Sequence, residues 1–113
     1  MAWSKELVAA SATPLVLSVL AHGDNYGYAI IKRVAELTGG ELQWTDGMLY
    51  PVLHRLEKQR LLKSEWRVEN SGRRRKYYRL QKDGMKKLKE EKGKWEVVNN
   101  VLALLWEQKP CSI

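Results

Sequence analysis

Apolar residues recur at helical spacing through the first half of the chain. The stretch from Leu7 to Ala21 (LVAASATPLVLSVLA) predicts a first helix that starts near Ser4. Thr13-Pro14 interrupts it, and the pair is itself a good N-cap followed by a first-position proline. A kink or a restart is therefore expected there, with Leu15, Val16, Val19 and Leu20 as the buried stripe. HGDNYG (22–27) reads as a turn. A second helix follows, with Tyr28, Ile31, Val34 and Leu37 three residues apart, and Gly39-Gly40 ends it. Tyr28 is expected in the core. A third helix spans Thr45 to Gln59, capped by Thr45 and apolar along Leu49, Val52, Leu53 and Leu56. Pro51 removes an N–H early in that helix.

The period then changes. In LLKSEWRVE (61–69), Leu62, Ser64, Trp66 and Val68 alternate on one side; NSGR supplies turn residues and KYYRL alternates again, which predicts a β-hairpin. From Lys82 to about Gln108 the helical period returns, carried by Met85, Leu88, Trp95, Val98, Leu102 and Leu105, with Gly93 as a weak point. Three helices, a hairpin and a long last helix give a mainly α fold with a small β-hairpin (α+β). This is the outline of a winged helix-turn-helix with an added C-terminal helix. Residues 1–81 form the winged helix-turn-helix domain in this reading, and residues 82–113 the C-terminal dimerisation helix with a short tail.

Charge changes the picture in one segment. The net charge is +7 over 113 residues, yet residues 55–87 hold thirteen Lys/Arg against four Asp/Glu, leaving the rest slightly acidic. A basic field confined to one segment suits a polyanion partner, and double-stranded DNA is the expected one. Arg73, Arg74, Arg75 and Lys76 run straight into Tyr77 and Tyr78. The tyrosines and Leu80 would anchor the strand, so these cations would be held along a phosphate backbone instead of trailing in solvent. Cys111 is the lone cysteine, which fits a reducing cytoplasmic setting. The N-terminus shows no signal-peptide pattern, and the apolar runs are too short to span a membrane. Neither a metal site nor a cofactor is expected, because the two histidines are isolated and no phosphate-binding glycine loop occurs. An enzyme is the least favoured class, for want of any nucleophile–base set or paired carboxylates. A winged-helix protein-interaction module is the serious rival, and RNA binding a third possibility.

DNYGYAIIKRV (24–34), GMLYPVLHRLEKQRLL (47–62) and GRRRKYYRLQKDGMKKL (72–88) together resemble the PadR family of transcriptional regulators, and specifically its short subfamily with one C-terminal helix. The resemblance covers roughly residues 7–107. It implies a homodimeric winged-helix repressor whose last helix packs with the first helix of the partner subunit. Three departures stand out: Met48 replaces the usual Thr or Ser, Arg60 the usual glycine, and Gln81 the usual capping Thr. Asp83 suits the dipole of the last helix. On the third helix the Tyr50 hydroxyl is the candidate hydrogen-bond donor to a phosphate, Thr45, Met48 and His54 are candidates for base edges, and Arg55 and Lys58 for the backbone. The homodimer would read a pseudo-palindromic operator.

The last helix carries the candidate effector chemistry. Trp95, Val98, Leu102 and Leu105 form a heptad-like stripe that reads first as a dimer interface. Trp95 also falls where multidrug-sensing members of the short subfamily carry the tryptophan that sandwiches planar drugs. A pocket of Trp95, Val98, Asn99 and Leu102, with Leu7 and Ala10 from the partner's first helix, would hold a planar aromatic or drug-like molecule. Glu90, Glu91 and Glu96 would favour a cation if they face it. A plain dimer-core tryptophan and a phenolic-acid effector are the alternatives. Trp3 is a candidate lid or a hydrophobic anchor.

Overall fold

The structure, a computed structural model, describes residues 3–107. Cys111 and the expected last residue of the final helix, Gln108, lie outside the described residues. Helix α1 (Lys5–Ala21) starts where the Ser4 hydroxyl accepts a hydrogen bond from the Leu7 amide at 3.1 Å. It neither stops nor restarts at Pro14. The ring removes one N–H, whose partner would be the Ala10 carbonyl, and Ala10 is exposed to water that can replace it. Packing holds the turns on both sides: Ala12, Val16, Leu17 and Leu20 are buried, whereas Leu15 and Val19 are only half-buried. The expected stripe is thus rotated toward Leu17.

The turn at 22–27 contains a short strand, β1 (Asn25–Tyr26), which pairs with the last strand of the hairpin. Two residues are too few to leave a periodic signal, so the sequence reads as turn alone. Helix α2 (Gly27–Leu37) buries Gly27, Ile30 and Val34. Tyr28 is 62% exposed, which corrects its expected core position, and Leu37 at the end of the same spacing is 58% exposed. Ile30 and Ile31 permit two stripes about 100° apart, and spacing cannot choose between them. The close approach to α3 chooses: a Cβ at Gly27 would lie 2.9 Å from Tyr50 Oη, so only glycine lets this edge of α2 face the ring.

Helix α3 (Asp46–Lys58) is capped by Thr45, whose Oγ1 accepts from the Met48 amide at 3.3 Å. Leu49, Leu53 and Leu56 are fully buried and form the centre of the core with Val16, Leu17 and Ile30. Pro51 is accommodated as Pro14 is, the deprived carbonyl belonging to exposed Gly47. The chain leaves α3 with the Leu61 amide bonded to the Leu56 carbonyl (3.0 Å) and the Arg60 amide to Glu57 (2.9 Å). This double bond pattern needs a left-handed residue between helix and strand. Arg60 fills that place at φ 63°. A left-handed L-residue costs about 1–2 kcal/mol, partly offset by the lower chain entropy of arginine relative to glycine. Arg60→Gly is therefore expected to stabilise the fold by about 0.5–1 kcal/mol, read as a raised midpoint in urea at unchanged slope.

Strands β2 (Leu62–Val68) and β3 (Arg74–Leu80) pair antiparallel, Leu62 opposite Leu80 and Trp66 opposite Lys76. With β1 on the far edge of β3 the sheet has three strands in the order β1-β3-β2. Leu62 and Tyr78 enter the core, while Trp66 and Val68 lie beyond it on the projecting hairpin. Helix α4 (Lys82–Glu107) packs against α1 and runs about 39 Å at 1.5 Å per residue. Its projection explains extents of 66 × 30 × 21 Å. Gly84 is its sole buried residue. No described helix is long and apolar enough to cross a membrane.

Candidate nucleic-acid interface

The basic segment is divided by its partners. Arg67 and Arg79 both donate to the Asp24 carboxylate, at 2.6 and 3.0 Å, tying the 22–27 turn to the sheet. The guanidinium of Arg79, then that of Arg67, holds the Asp24 carboxyl below the ordinary carboxylate value. Arg75 lies 4.2 Å above the Tyr26 ring, and its Nε sits 2.6 Å from Glu69 Oε1 at an angle too poor for a hydrogen bond. Arg55 does not point away from the protein: its Nη2 donates to Thr13 Oγ1 on α1 at 2.8 Å. These four cations serve the fold first. Arg73 and Arg74 are exposed at the hairpin tip, and Lys76 is half-buried with its ammonium 5.6 Å from the Tyr78 ring. Tyr78, 4% exposed, anchors the strand that carries them. Tyr77 faces the other side, edge-on to Tyr26 at 5.4 Å. The tip itself is closed by the Glu69 amide bonding the Arg73 carbonyl and the Gly72 amide bonding Glu69, both at 2.8 Å.

On α3 the direction opposite Leu49, Leu53 and Leu56 is occupied by Gly47, Pro51, His54 and Lys58. All four are exposed. The small residues at its start leave the helix low enough for close approach to a groove. Tyr50 flanks this face on the side of the hairpin. Thr45 and Met48 lie elsewhere, around the helix N-terminus with Trp3 and Trp44. There the Thr45 hydroxyl is engaged as the cap, and Met48 packs on the core. Trp3 donates from Nε1 to Glu41 at 3.4 Å, so its side chain belongs to this corner and not to the last helix.

Between α3 and the hairpin lies a cleft of about 630 Å³. Tyr50 and Arg73 to Lys76 line it together, so five of the ten candidate DNA contacts meet in one place. Three aromatic residues outside the candidate set join them, Tyr26, Tyr28 and Trp66. The GY pair and the alternation of 62–68 were visible, but spacing alone assigned Tyr28 to the core, and Trp66 carried no sign that the hairpin outruns it.

A second groove, of about 570 Å³, separates α1 from α4. Trp95, Val98, Asn99 and Leu102 line it on the α4 side, facing Pro14, Ser18, Ala21 and His22. Of the three acids singled out, Glu96 reaches the groove, where Lys92 stands 4.0 Å away. Glu91 pairs with Lys87 at 3.8 Å, and Glu90 is exposed outside the lining. Leu7 and Ala10 are exposed and lie outside this groove, on the same side of α1 as Pro14 and Ser18 by the helical period. Met85, Val98 and Leu105 of the α4 stripe are exposed, as are Val97, Val101, Leu104 and Trp106.

Residues 16–90 match the family described as the transcriptional regulator PadR-like family. A PadR family transcriptional regulator from Eggerthella lenta DSM 2243 is 36% identical, over 92% of this chain and 88% of that one, with a TM-score of 0.76. A transcriptional regulator from Clostridium thermocellum is 31% identical over 88% of this chain and 96% of that one, with a TM-score of 0.79. Among curated proteins, transcriptional regulator YqjI of Escherichia coli K12 is 31% identical over 84 residues, which is 74% of this chain and 39% of that protein. The chain thus spans about two fifths of the curated relatives it matches.

Proposed function

The chain belongs to the PadR-like family of transcriptional regulators, and from that premise we propose that it is a repressor which binds a pseudo-palindromic DNA operator as a homodimer in the cytoplasm. The outward face of α3 enters the major groove with His54 and Lys58, Tyr50 reaches the adjoining sugar–phosphate backbone, and the hairpin is the wing. The observation that carries this is the shared cleft: an α3 side chain and the wing cations converge on one side of the molecule. Residues 1–81 bind DNA and residues 82–113 join the protomers. Dimerisation is supported by the last turns of α4, apolar nearly all round and exposed, which water alone would solvate poorly. Two α3 helices would then lie about one helical turn apart, roughly 34–36 Å.

We further propose that a planar aromatic ligand enters beside Trp95 and releases the DNA. The groove between α1 and α4 supports this, since the side of α1 that lines it continues to Leu7 and Ala10, where a partner's α4 would extend the wall. A ligand acts by binding one spacing of the two protomers better than the spacing that spans the half-sites. In sedimentation experiments two protomers are expected on each specific duplex. A planar cationic dye is expected to quench tryptophan fluorescence saturably at one dye per dimer, and Trp95→Ala to abolish the quenching while remaining dimeric. Monomers on DNA would refute the dimer; unsaturable quenching would refute the ligand site.

A further inference from the structure

We propose that Trp66 is a DNA-contact residue whose indole packs on the deoxyribose of the strand held by the wing, so that the cleft closes on one sugar–phosphate strand. This rests on the DNA-binding reading above. The fold has little use for the side chain: Leu62, four residues earlier on the same side of β2, is where that side enters the core, and Trp66 is 60% exposed beyond it. Tyr28 and Tyr50, 62% and 45% exposed, share its cleft, so three large rings stand open among cations. The Arg74 guanidinium lies 5.2 Å from the Trp66 ring, and Lys76 is directly across the ladder. Arg74 is thereby held beside the indole before DNA arrives, with the Lys76 ammonium nearby over the Tyr78 ring.

Charge fixes how a strand would lie. Asp46 is the carboxylate lining the cleft, and it belongs to the α3 end. It repels a phosphate there, so phosphates settle on the wing side against Arg73, Arg74 and Lys76. The sugar is then what spans the aromatic walls. Its apolar face suits an indole, and that contact releases no counterions, unlike the phosphate contacts next to it.

The two kinds of contact separate in a salt titration. Anisotropy of a labelled mixed-sequence duplex spanning several helical turns would be followed over a range of salt concentrations for the wild type, Trp66→Ala, Trp66→Phe and Arg74→Ala. Trp66→Ala is expected to lower affinity roughly tenfold for each protomer engaged, about a hundredfold for the dimer, in line with the loss of one aromatic contact per protomer, with the slope of log K against log salt unchanged. Trp66→Phe should recover most of the loss, and thermal unfolding should show all variants folded. An affinity equal to the wild type overturns the proposal. So does a loss accompanied by the same reduced slope as Arg74→Ala, because Trp66 would then only position that guanidinium. A wild type that does not bind duplex at all removes the DNA-binding reading itself, whereas binding that ignores Trp66 removes only this contact.

Discussion

Replacing Arg73, Arg74 and Lys76 with alanine together is expected to weaken duplex binding on the order of a thousandfold near physiological salt. The three are chosen by what holds them. Arg73 and Arg74 are exposed at the wing tip and Lys76 stands beside the cleft, whereas Arg75 is stacked on Tyr26 and set against Glu69. Each phosphate neutralised contributes about 0.9 to the slope of log K against log salt, so a dimer losing two sets of three should lose about five from that slope. Arg75→Ala provides the contrast. Its side chain is 20% exposed, and its loss should lower stability by about 1 kcal/mol through the cation–π contact while leaving the slope nearly intact. Four adjacent cations would thus divide into three that meet DNA and one that braces the wing. Equal slopes for the triple variant and the wild type would sink the wing assignment. A slope loss for Arg75→Ala as large as for Arg74→Ala would show that the internal partners do not hold it.

The pattern of residues made the architecture legible because most of its signals were redundant. Leu49, Leu53 and Leu56 repeat at helical spacing behind a capping threonine, and all three are fully buried. The period-two alternation on both sides of NSGR marks the hairpin, and the structure supplies its register, Trp66 opposite Lys76. The misreadings have a common physical cause. Where apolar residues were adjacent, as Val16-Leu17 and Ile30-Ile31, the sequence allowed two rotations of a helix, and a tertiary contact selected one. For α2 that contact is Gly27 against Tyr50, a pair 23 positions apart that no local window contains. Strand β1 leaves no signal in the sequence because its two residues are strand only through Tyr77 and Tyr78 across the ladder. The site was legible as charge and less so as shape. The cation run announced a polyanion surface, but its division among Glu69, Tyr26 and solvent depends on the fold.

Gly84→Ala is expected to destabilise the protein by about 2 kcal/mol or more, against the sign that helix propensity alone would give. In a free helix the change gains about 1 kcal/mol. Here an added Cβ would stand 2.2 Å from the Leu61 carbonyl oxygen, 2.6 Å from Leu80 Cδ1 and 3.1 Å from the Leu61 carbonyl carbon. A flexible side chain could move aside, but the Leu61 backbone is fixed from two directions. Its carbonyl accepts from the Gln81 amide at 2.9 Å, and its amide completes the turn that ends α3. Relief therefore means shifting α4 away from the junction of α3 and β2, which opens the core near Leu62 and Leu80. Calorimetry should show a fall in melting temperature of roughly 8–15 °C for a domain of this size. Gly93→Ala is the matched control: it lies in the same helix, exposed, with nothing within 4 Å of the added carbon, and should gain about 0.5–1 kcal/mol. The pair also bears on DNA binding. Gly84 sets the angle at which α4 leaves the winged domain, and in the proposed dimer that angle sets the separation of the two α3 helices. Gly84→Ala should then weaken binding to a two-half-site operator more than to a single half-site, while Gly93→Ala changes neither. A Gly84→Ala protein as stable as the wild type would mean that α4 can tilt freely on the domain, and the spacing of the half-sites would have to be fixed by the helix interface alone.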